Sequence, residues 1–145
     1  MNAVLSHKNS ATIFTRYKKS FASDISLVST AKKGLKAQAA FDFISISDLS
    51  QILIEKIFTK SVKTFNNYKE KNTLFDPMVS EKLLRLFALY DKGASVFGNI
   101  DSFNKWMATP SYGLGEQVPQ NLLDTITGIQ LISDELGRIQ HGDLA

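Results

Sequence analysis

The strongest constraint on the fold is a long apolar stripe in the second half of the chain. Asp76 followed by Pro77 is typical of a helix start, because aspartate caps the first turn and proline fits its first position. Gly98 is typical of a helix end. Between them, apolar residues recur at spacings of three and four: Val79, Leu83, Leu86, Phe87, Tyr90, Ala94 and Phe97. The pattern predicts one helix over residues 77–97 that is central to the fold.

Shorter helical patterns fill the rest of the chain from Asp24 onward. Each predicted helix starts at a capping residue or at the first apolar residue of a pattern: Asp24, Leu35, Ser50, Ser61, Asp101 and Thr127. Gly34 is predicted to end the first of them. No segment alternates polar and apolar residues for long enough to predict a strand. The predicted fold class is therefore all-α, a compact helical bundle.

Size and composition limit the classes of function. A chain of 145 residues is expected to form one domain, and no apolar run approaches the roughly 18 residues of a membrane span. Absence of cysteine excludes disulfides, thiolate zinc sites and a cysteine nucleophile. The two histidines are His7 and His141, and there is no phosphate-binding loop or hydrolase motif. We therefore expect no enzyme, no metal, no cofactor and no membrane partner, and a cytoplasmic location.

Charge is distributed unevenly along the chain. Residues 1–71 carry 12 basic against 5 acidic residues, residues 72–100 carry 3 against 3, and residues 101–145 carry 2 against 6. Residues 1–23 include four basic residues and no acidic residue, and their apolar residues follow no sustained helical or strand period. We therefore expect a flexible basic arm there. The basic first part of the chain could bind nucleic acid. The alternative is that the uneven charge only gives the protein two surfaces that are solvated differently.

Residues 50–71 have the size and rhythm of a helix-turn-helix, a DNA-binding motif whose second helix enters the major groove. Lysines neutralise phosphates and asparagines can pair with adenine, so this segment offers a set of candidate DNA contacts. The candidates are Lys60, Ser61, Lys63, Asn66, Asn67 and Lys69. The alternative is a solvated helix face.

Four patterns in residues 94–142 carry a family resemblance: A-x-x-F-G-N, then F-N-K-W-M-x-x-P-S-x-x-L-G, then P-x-x-L-L-D-T-x-x-G, then L-G-R-I-x-x-G. They resemble the toxin-binding domain of the Xre/MbcA/ParS antitoxin family. Ser61, Thr64, Phe65 and residues 83–86 are similar to that family's Xre-like helix-turn-helix region. The sequence departs from the family at Glu116, where a second glycine is common.

The resemblance implies a bacterial type II antitoxin with a helix-turn-helix region at residues 24–98 and a toxin-binding domain at residues 99–145. Its implied partners are a cognate toxin, usually a RES-domain toxin that consumes NAD, and operator DNA for autorepression. A DNA-binding transcriptional regulator without a toxin is the alternative. We also expect a homodimer, because Leu84 and Leu89 lie off the main stripe of the long helix and palindromic operators need two copies.

A rigid loop and the chain's tail are the predicted toxin-binding elements. Pro110 and Pro119 flank Gly113 and Gly115, a composition that favours a shaped loop and lowers the ordering cost of binding. The candidate toxin-binding residues are Trp106, Pro110, Tyr112, Leu114, Arg138, Ile139 and His141. For Trp106 the alternative is core packing, and for Arg138 it is an interaction with the negative end of the last helix.

Overall fold

The computed structural model describes residues 3–142, with side chains from residue 10 onward. The described residues form eight α-helices and two short 3₁₀ turns, and no strand. In chain order the helices are α1 (Ala3–Phe21), α2 (Asp24–Lys33), α3 (Gln38–Ser47), α4 (Gln51–Phe58), α5 (Val62–Lys71), α6 (Pro77–Phe97), α7 (Ile100–Met107) and α8 (Ile126–Gln140). The 3₁₀ turns are Tyr112–Leu114 and Pro119–Leu122. The prediction of an all-α fold is confirmed.

Helix starts follow the capping chemistry of the sequence. Ser50 accepts a hydrogen bond from the Leu53 amide at 3.2 Å, and Asp76 accepts one from the Val79 amide at 2.9 Å. Each cap satisfies an amide that has no partner within its own helix. Gly98 ends α6 in a left-handed conformation, with φ of 91°. The predicted limits of the long helix are therefore confirmed.

Three predicted helix starts were wrong by one to three residues. Asn99, not Asp101, caps α7 and accepts from the Ser102 amide at 2.8 Å, because the chain enters the new helix directly after Gly98. Thr125 caps α8, so that helix begins at Ile126 rather than at position 127. Residues 35–37 precede α3, which begins only at residue 38.

Helix α6 is the central helix of the bundle, and α1, α2, α3, α7 and α8 all pack against it. Leu83, Leu86, Phe87 and Tyr90 are fully buried, as the apolar stripe predicted. Leu84 and Leu89 are buried too. The expectation that these two leucines leave apolar surface for a second copy was therefore wrong, since helices of the same chain surround α6 on several sides.

The expected flexible arm is not observed at residues 3–21, which form helix α1 instead. Ile13 and Phe14 are buried, and the ring of Tyr17 stacks on that of Phe87 at 4.3 Å between centroids. Met1 and Asn2 lie outside the described residues. The basic residues from position 16 onward face solvent while these apolar residues join the core, so α1 belongs to the fold.

A buried carboxylate fastens α1 to α3. Asp42 on α3 accepts hydrogen bonds from the Tyr17 hydroxyl at 2.6 Å and the Arg16 guanidinium at 2.8 Å, and from Gln38 on its own helix at 2.9 Å. Burial, and then the bond to Asp42, raise the pKa of Tyr17. Asp42 is therefore a buried acid whose charge is balanced by three donors, the condition under which such a group is tolerated.

No helix within residues 3–142 has both the length and the apolar character that crossing a membrane would require.

Candidate functional site

The loop between α7 and α8 is folded back on itself. The Ser111 amide donates to the Gln117 carbonyl at 3.0 Å, and the Glu116 amide donates to the Ser111 carbonyl at 2.8 Å. Gly115 and Glu116 are both left-handed, with φ of 65° and 66°. Glu116 thus stands in a conformation that favours glycine, at the position where the sequence departs from the family pattern.

A buried glutamate on α8 lies directly against this loop. Glu135 is 6% exposed, and its Oε1 accepts a hydrogen bond from Nε of Arg138 at 2.7 Å and forms an ion pair with Nη2, also at 2.7 Å. Gly113 lies so close to the same carboxylate that an added Cβ would overlap its atoms. The loop, Glu135 and Arg138 therefore form one unit, which we call the Glu135 clamp.

Three predicted toxin-binding residues are exposed beside or near this clamp. Tyr112 precedes Gly113 and is 77% exposed, and the Arg138 side chain is 46% exposed. His141 is exposed at the end of α8. Arg138 and Gly113, the neighbour of Tyr112, thus both lie beside one buried carboxylate, although 26 positions separate Tyr112 from Arg138 in the sequence.

The other four candidates are divided between core and surface. The ring of Trp106 is half-buried and stacks on Phe103 at 6.0 Å between centroids, which agrees with the core alternative. Leu114 and Ile139 are also half-buried, whereas Pro110 is exposed at the start of the loop. Trp106 and Leu114 pack against the hydrophobic core.

Leu131 is a surface residue that the sequence analysis missed. It is 47% exposed on α8, four residues before Glu135 and seven before Arg138, which places all three on neighbouring positions of one helix face. The sequence signal for this surface residue was that Leu131 is apolar but does not belong to the buried face of Ile129 and Ile132.

The helix-turn-helix candidate is formed by α4 and α5. Thr59 makes the turn in a left-handed conformation, with φ of 51°. Glu55 Oε2 accepts from the Val62 amide at 2.8 Å, and this bond is the main cause of a lowered pKa for Glu55. Ile52 of α4 is 83% exposed, because the buried face of this helix runs through Ile54 and Ile57.

The six candidate DNA contacts differ in what surrounds them. Lys63, Asn66 and Asn67 are exposed along α5. Ser61 caps α5 by accepting from the Thr64 amide at 3.1 Å. Two lysines lie over aromatic rings, Lys60 over Tyr68 at 5.7 Å and Lys69 over Phe41 at 5.3 Å. The exposed polar surface of α5 therefore centres on Lys63, Asn66 and Asn67.

One lysine joins the α4–α5 pair to the segment before α8. Lys82 Nζ donates to the carbonyls of Ile57 and Asp124, both at 2.8 Å. Burial lowers the pKa of Lys82. A groove of about 350 Å³ opens beside it, with Met78 and Ile126 among its exposed apolar residues. The two candidate binding regions are thus linked through α6.

Among the described residues, no three His, Asp or Glu side chains come together as a potential metal site.

Comparison with known proteins gives a consistent set of similarities. Residues 92–142 match the family model described as the antitoxin Xre/MbcA/ParS C-terminal toxin-binding domain. The chain is 38% identical over 69 residues to an antitoxin Xre of Yersinia enterocolitica, covering 47% of each protein, and 34% identical over 64 residues to an antitoxin Xre of Photorhabdus laumondii, covering 43% of each. These two alignments span less than half of either relative. A Prs ADP-ribosylating antitoxin of a Sphingobium species is 27% identical over 133 residues, covering 86% of this chain and 84% of that protein.

Proposed function

We propose that this chain, whose residues 92–142 match the toxin-binding domain of the Xre/MbcA/ParS antitoxin family, neutralises a cognate toxin by binding it directly. The observation that carries the proposal is the Glu135 clamp, which lies within the matched segment and fixes an exposed loop against an exposed helix face. A surface that is ordered before binding loses less entropy when the partner docks. Residues 99–145 are the proposed toxin-binding domain.

The proposed contact surface is centred on Tyr112, Leu131 and Arg138. An exposed tyrosine and arginine are the residue types that contribute most at protein interfaces, and a neighbouring leucine adds apolar area. The exposed Pro110 and His141 are proposed to extend this surface. Trp106 and Leu114 pack their half-buried side chains against the core, and Ile139 is half-buried beside Arg138.

The proposed toxin is of the RES type and consumes NAD. The name of the Sphingobium relative connects an antitoxin with ADP-ribosylation, a transfer for which NAD is the donor. Arg138 fits this chemistry, since a guanidinium suits a pocket that otherwise holds an anionic dinucleotide. Inhibition is proposed to occur by occupation of the toxin surface alone, with no reaction catalysed by this chain and no cofactor.

The test uses the purified product of the toxin gene beside this one in its operon. Tyr112→Ala should weaken inhibition of that toxin by about 10- to 30-fold, the range of an interface hot spot. Ile25→Ala is the matched control, because Ile25 on α2 is also 77% exposed but lies outside the matched domain. Equal inhibition by both variants would place the contact surface elsewhere. An operon without a neighbouring toxin gene would favour the alternative, a DNA-binding regulator with no toxin.

Autorepression through α4 and α5 is the second proposed activity, and the exposed row on α5 supports it. Lys63→Ala and Asn67→Ala should weaken operator binding and leave toxin inhibition intact, because the two surfaces use different residues. Operator affinity should also fall as salt rises. Lys32→Ala on α2 is the matched control, because this lysine is also exposed but lies outside α4 and α5. No affinity for the chain's own promoter at low salt would mean that α4 and α5 serve the fold alone.

A homodimer acting in the cytoplasm completes the proposal. The remaining support for two copies is the symmetry of operators, since a palindromic site presents two equivalent half-sites. Light scattering that gives the mass of a monomer at tens of micromolar protein would rule out the dimer.

A further inference from the structure

Glu135 is the one acidic residue of α8 that the fold buries. Asp134 beside it is exposed and accepts a hydrogen bond from Gln130, one turn earlier on the same helix. Burying a carboxylate is unfavourable unless its charge is balanced, and an apolar residue of similar size would pack here without that difficulty. The chain instead keeps a charged group under an exposed loop.

This carboxylate touches two parts of the proposed toxin surface. Oε1 accepts a hydrogen bond from Nε of Arg138 and pairs with Nη2, and the carboxylate atoms fill the space where Gly113 would carry a side chain. Gly113 has no left-handed conformation, unlike Gly115, so its lack of a side chain matters for space and not for backbone freedom. The loop can lie on α8 because residue 113 is glycine and residue 135 reaches up beneath it.

We infer that Glu135 is a positioning residue for toxin binding, which holds the Arg138 guanidinium and the Tyr112 loop in the arrangement that the toxin meets; this inference rests on the proposed function. The pair with Glu135 engages Nε and Nη2, so the Nη1 donors remain for an anionic group of the partner. Glu135 itself is too buried to contact a partner directly. It acts by fixing a long side chain that would otherwise sample many rotamers.

Glu135→Gln is the central test, because glutamine keeps the size of the side chain and removes the charge that holds Arg138. We expect inhibition of the neighbouring toxin to weaken by about ten-fold, the cost of leaving one long interfacial side chain unfixed. Thermal melting by circular dichroism should show that the variant stays folded. Asp134→Asn is the matched control, because it makes the same change of charge at an exposed neighbouring position, and inhibition should then be unchanged.

A double-mutant cycle separates positioning from a general structural effect. If Glu135 acts through Arg138, then Glu135→Gln should add little to the loss already caused by Arg138→Ala. Gly113→Ala should also weaken inhibition by forcing the loop off the carboxylate, and Glu135→Ala in the same chain should recover part of that loss by making room. An undiminished effect of Glu135→Gln in the Arg138→Ala background would overturn the inference, as would full inhibition by Glu135→Gln alone.

Hydrogen exchange of the Arg138 Nε–H in the isolated protein separates a loss of positioning from a loss of binding. Slow exchange that becomes fast in Glu135→Gln supports positioning, and equally fast exchange in both proteins overturns it. Failure of the unmodified chain to bind the neighbouring toxin would remove the proposed function, and with it the role in binding inferred for Glu135. Normal toxin binding with no effect of Glu135→Gln would remove the inference alone.

Discussion

Replacing Asp42 with alanine should loosen α1 from the bundle and lower the melting temperature by about 3–12 °C. Three donors lose their acceptor in this variant: the Tyr17 hydroxyl, the Arg16 guanidinium and the Gln38 amide. The variant therefore tests directly whether the first helix is part of the fold, contrary to what its basic composition suggested.

The Tyr17 bond should account for most of the change. A hydrogen bond to a charged group contributes about 1.5–3 kcal/mol when it is shielded from water, and the Tyr17 hydroxyl is part-buried. The Arg16 side chain is half exposed, so its ion pair contributes at most about 1 kcal/mol. The Gln38 bond joins residues one turn apart and contributes about 0.2–0.5 kcal/mol. Alanine returns roughly 0.5 kcal/mol through its better helix propensity, which leaves a net loss of about 1–4 kcal/mol.

Thermal melting followed by circular dichroism is the assay, with two variants as references. Tyr17→Phe removes the hydroxyl alone, and its effect should overlap with that of Asp42→Ala, so that the double variant loses less than the sum. Asp91→Ala is the matched control, because Asp91 pairs with Lys18 of α1 at 4.0 Å with the lysine well exposed. It should change the free energy of unfolding by less than about 1 kcal/mol. Melting of Asp42→Ala at the unmodified temperature, or an equal loss in Asp91→Ala, would refute the reasoning.

Three further predictions concern the link between the two binding regions, the loop and the pH dependence of stability. Lys82→Met should lower the free energy of unfolding by about 1–3 kcal/mol in urea titrations, because two carbonyls lose a charged donor, whereas Lys105→Met on the surface of α7 should have little effect. Glu116→Gly should raise the free energy of unfolding by about 0.5–1 kcal/mol, because glycine adopts the left-handed conformation without strain, and Glu116→Ala should not raise it. Burial raises the pKa of both Tyr17 and Tyr90, so the folded chain keeps phenolic protons that the unfolded chain releases, and the urea midpoint should fall as pH rises above about 10. A midpoint that is flat or rising in alkaline solution would contradict that sign.

Local chemistry made much of the fold predictable. Caps such as Ser50, Ser61 and Asp76 act within one helical turn, so the sequence alone locates them. Helix α1 was not predicted because the contacts that stabilise it join residues far apart in the sequence. Ile13, Phe14 and Tyr17 do follow a helical spacing, but the groups that hold them, Asp42 and Phe87, lie far along the chain.

The candidate site was predictable in part for the same reason. Prolines and glycines indicated a shaped loop, and the loop is indeed folded back between Ser111 and Gln117. Glu135 was not singled out, because an acidic residue next to Asp134 ordinarily lies in solvent. Its burial depends on Gly113, 22 positions earlier in the sequence, and no local rule connects the two.

The matched toxin-binding domain begins at residue 92, inside α6, and this position limits how such antitoxins can be recombined. The same helix supplies buried residues on both sides of that point, among them Leu86 and Gly93. A crossover at residue 92 would join the first 15 residues of one central helix to the last six of another, and would leave each part with foreign neighbours. We therefore expect natural variants to change partner by substituting surface residues such as Leu131, and chimaeras made by exchanging the halves to aggregate.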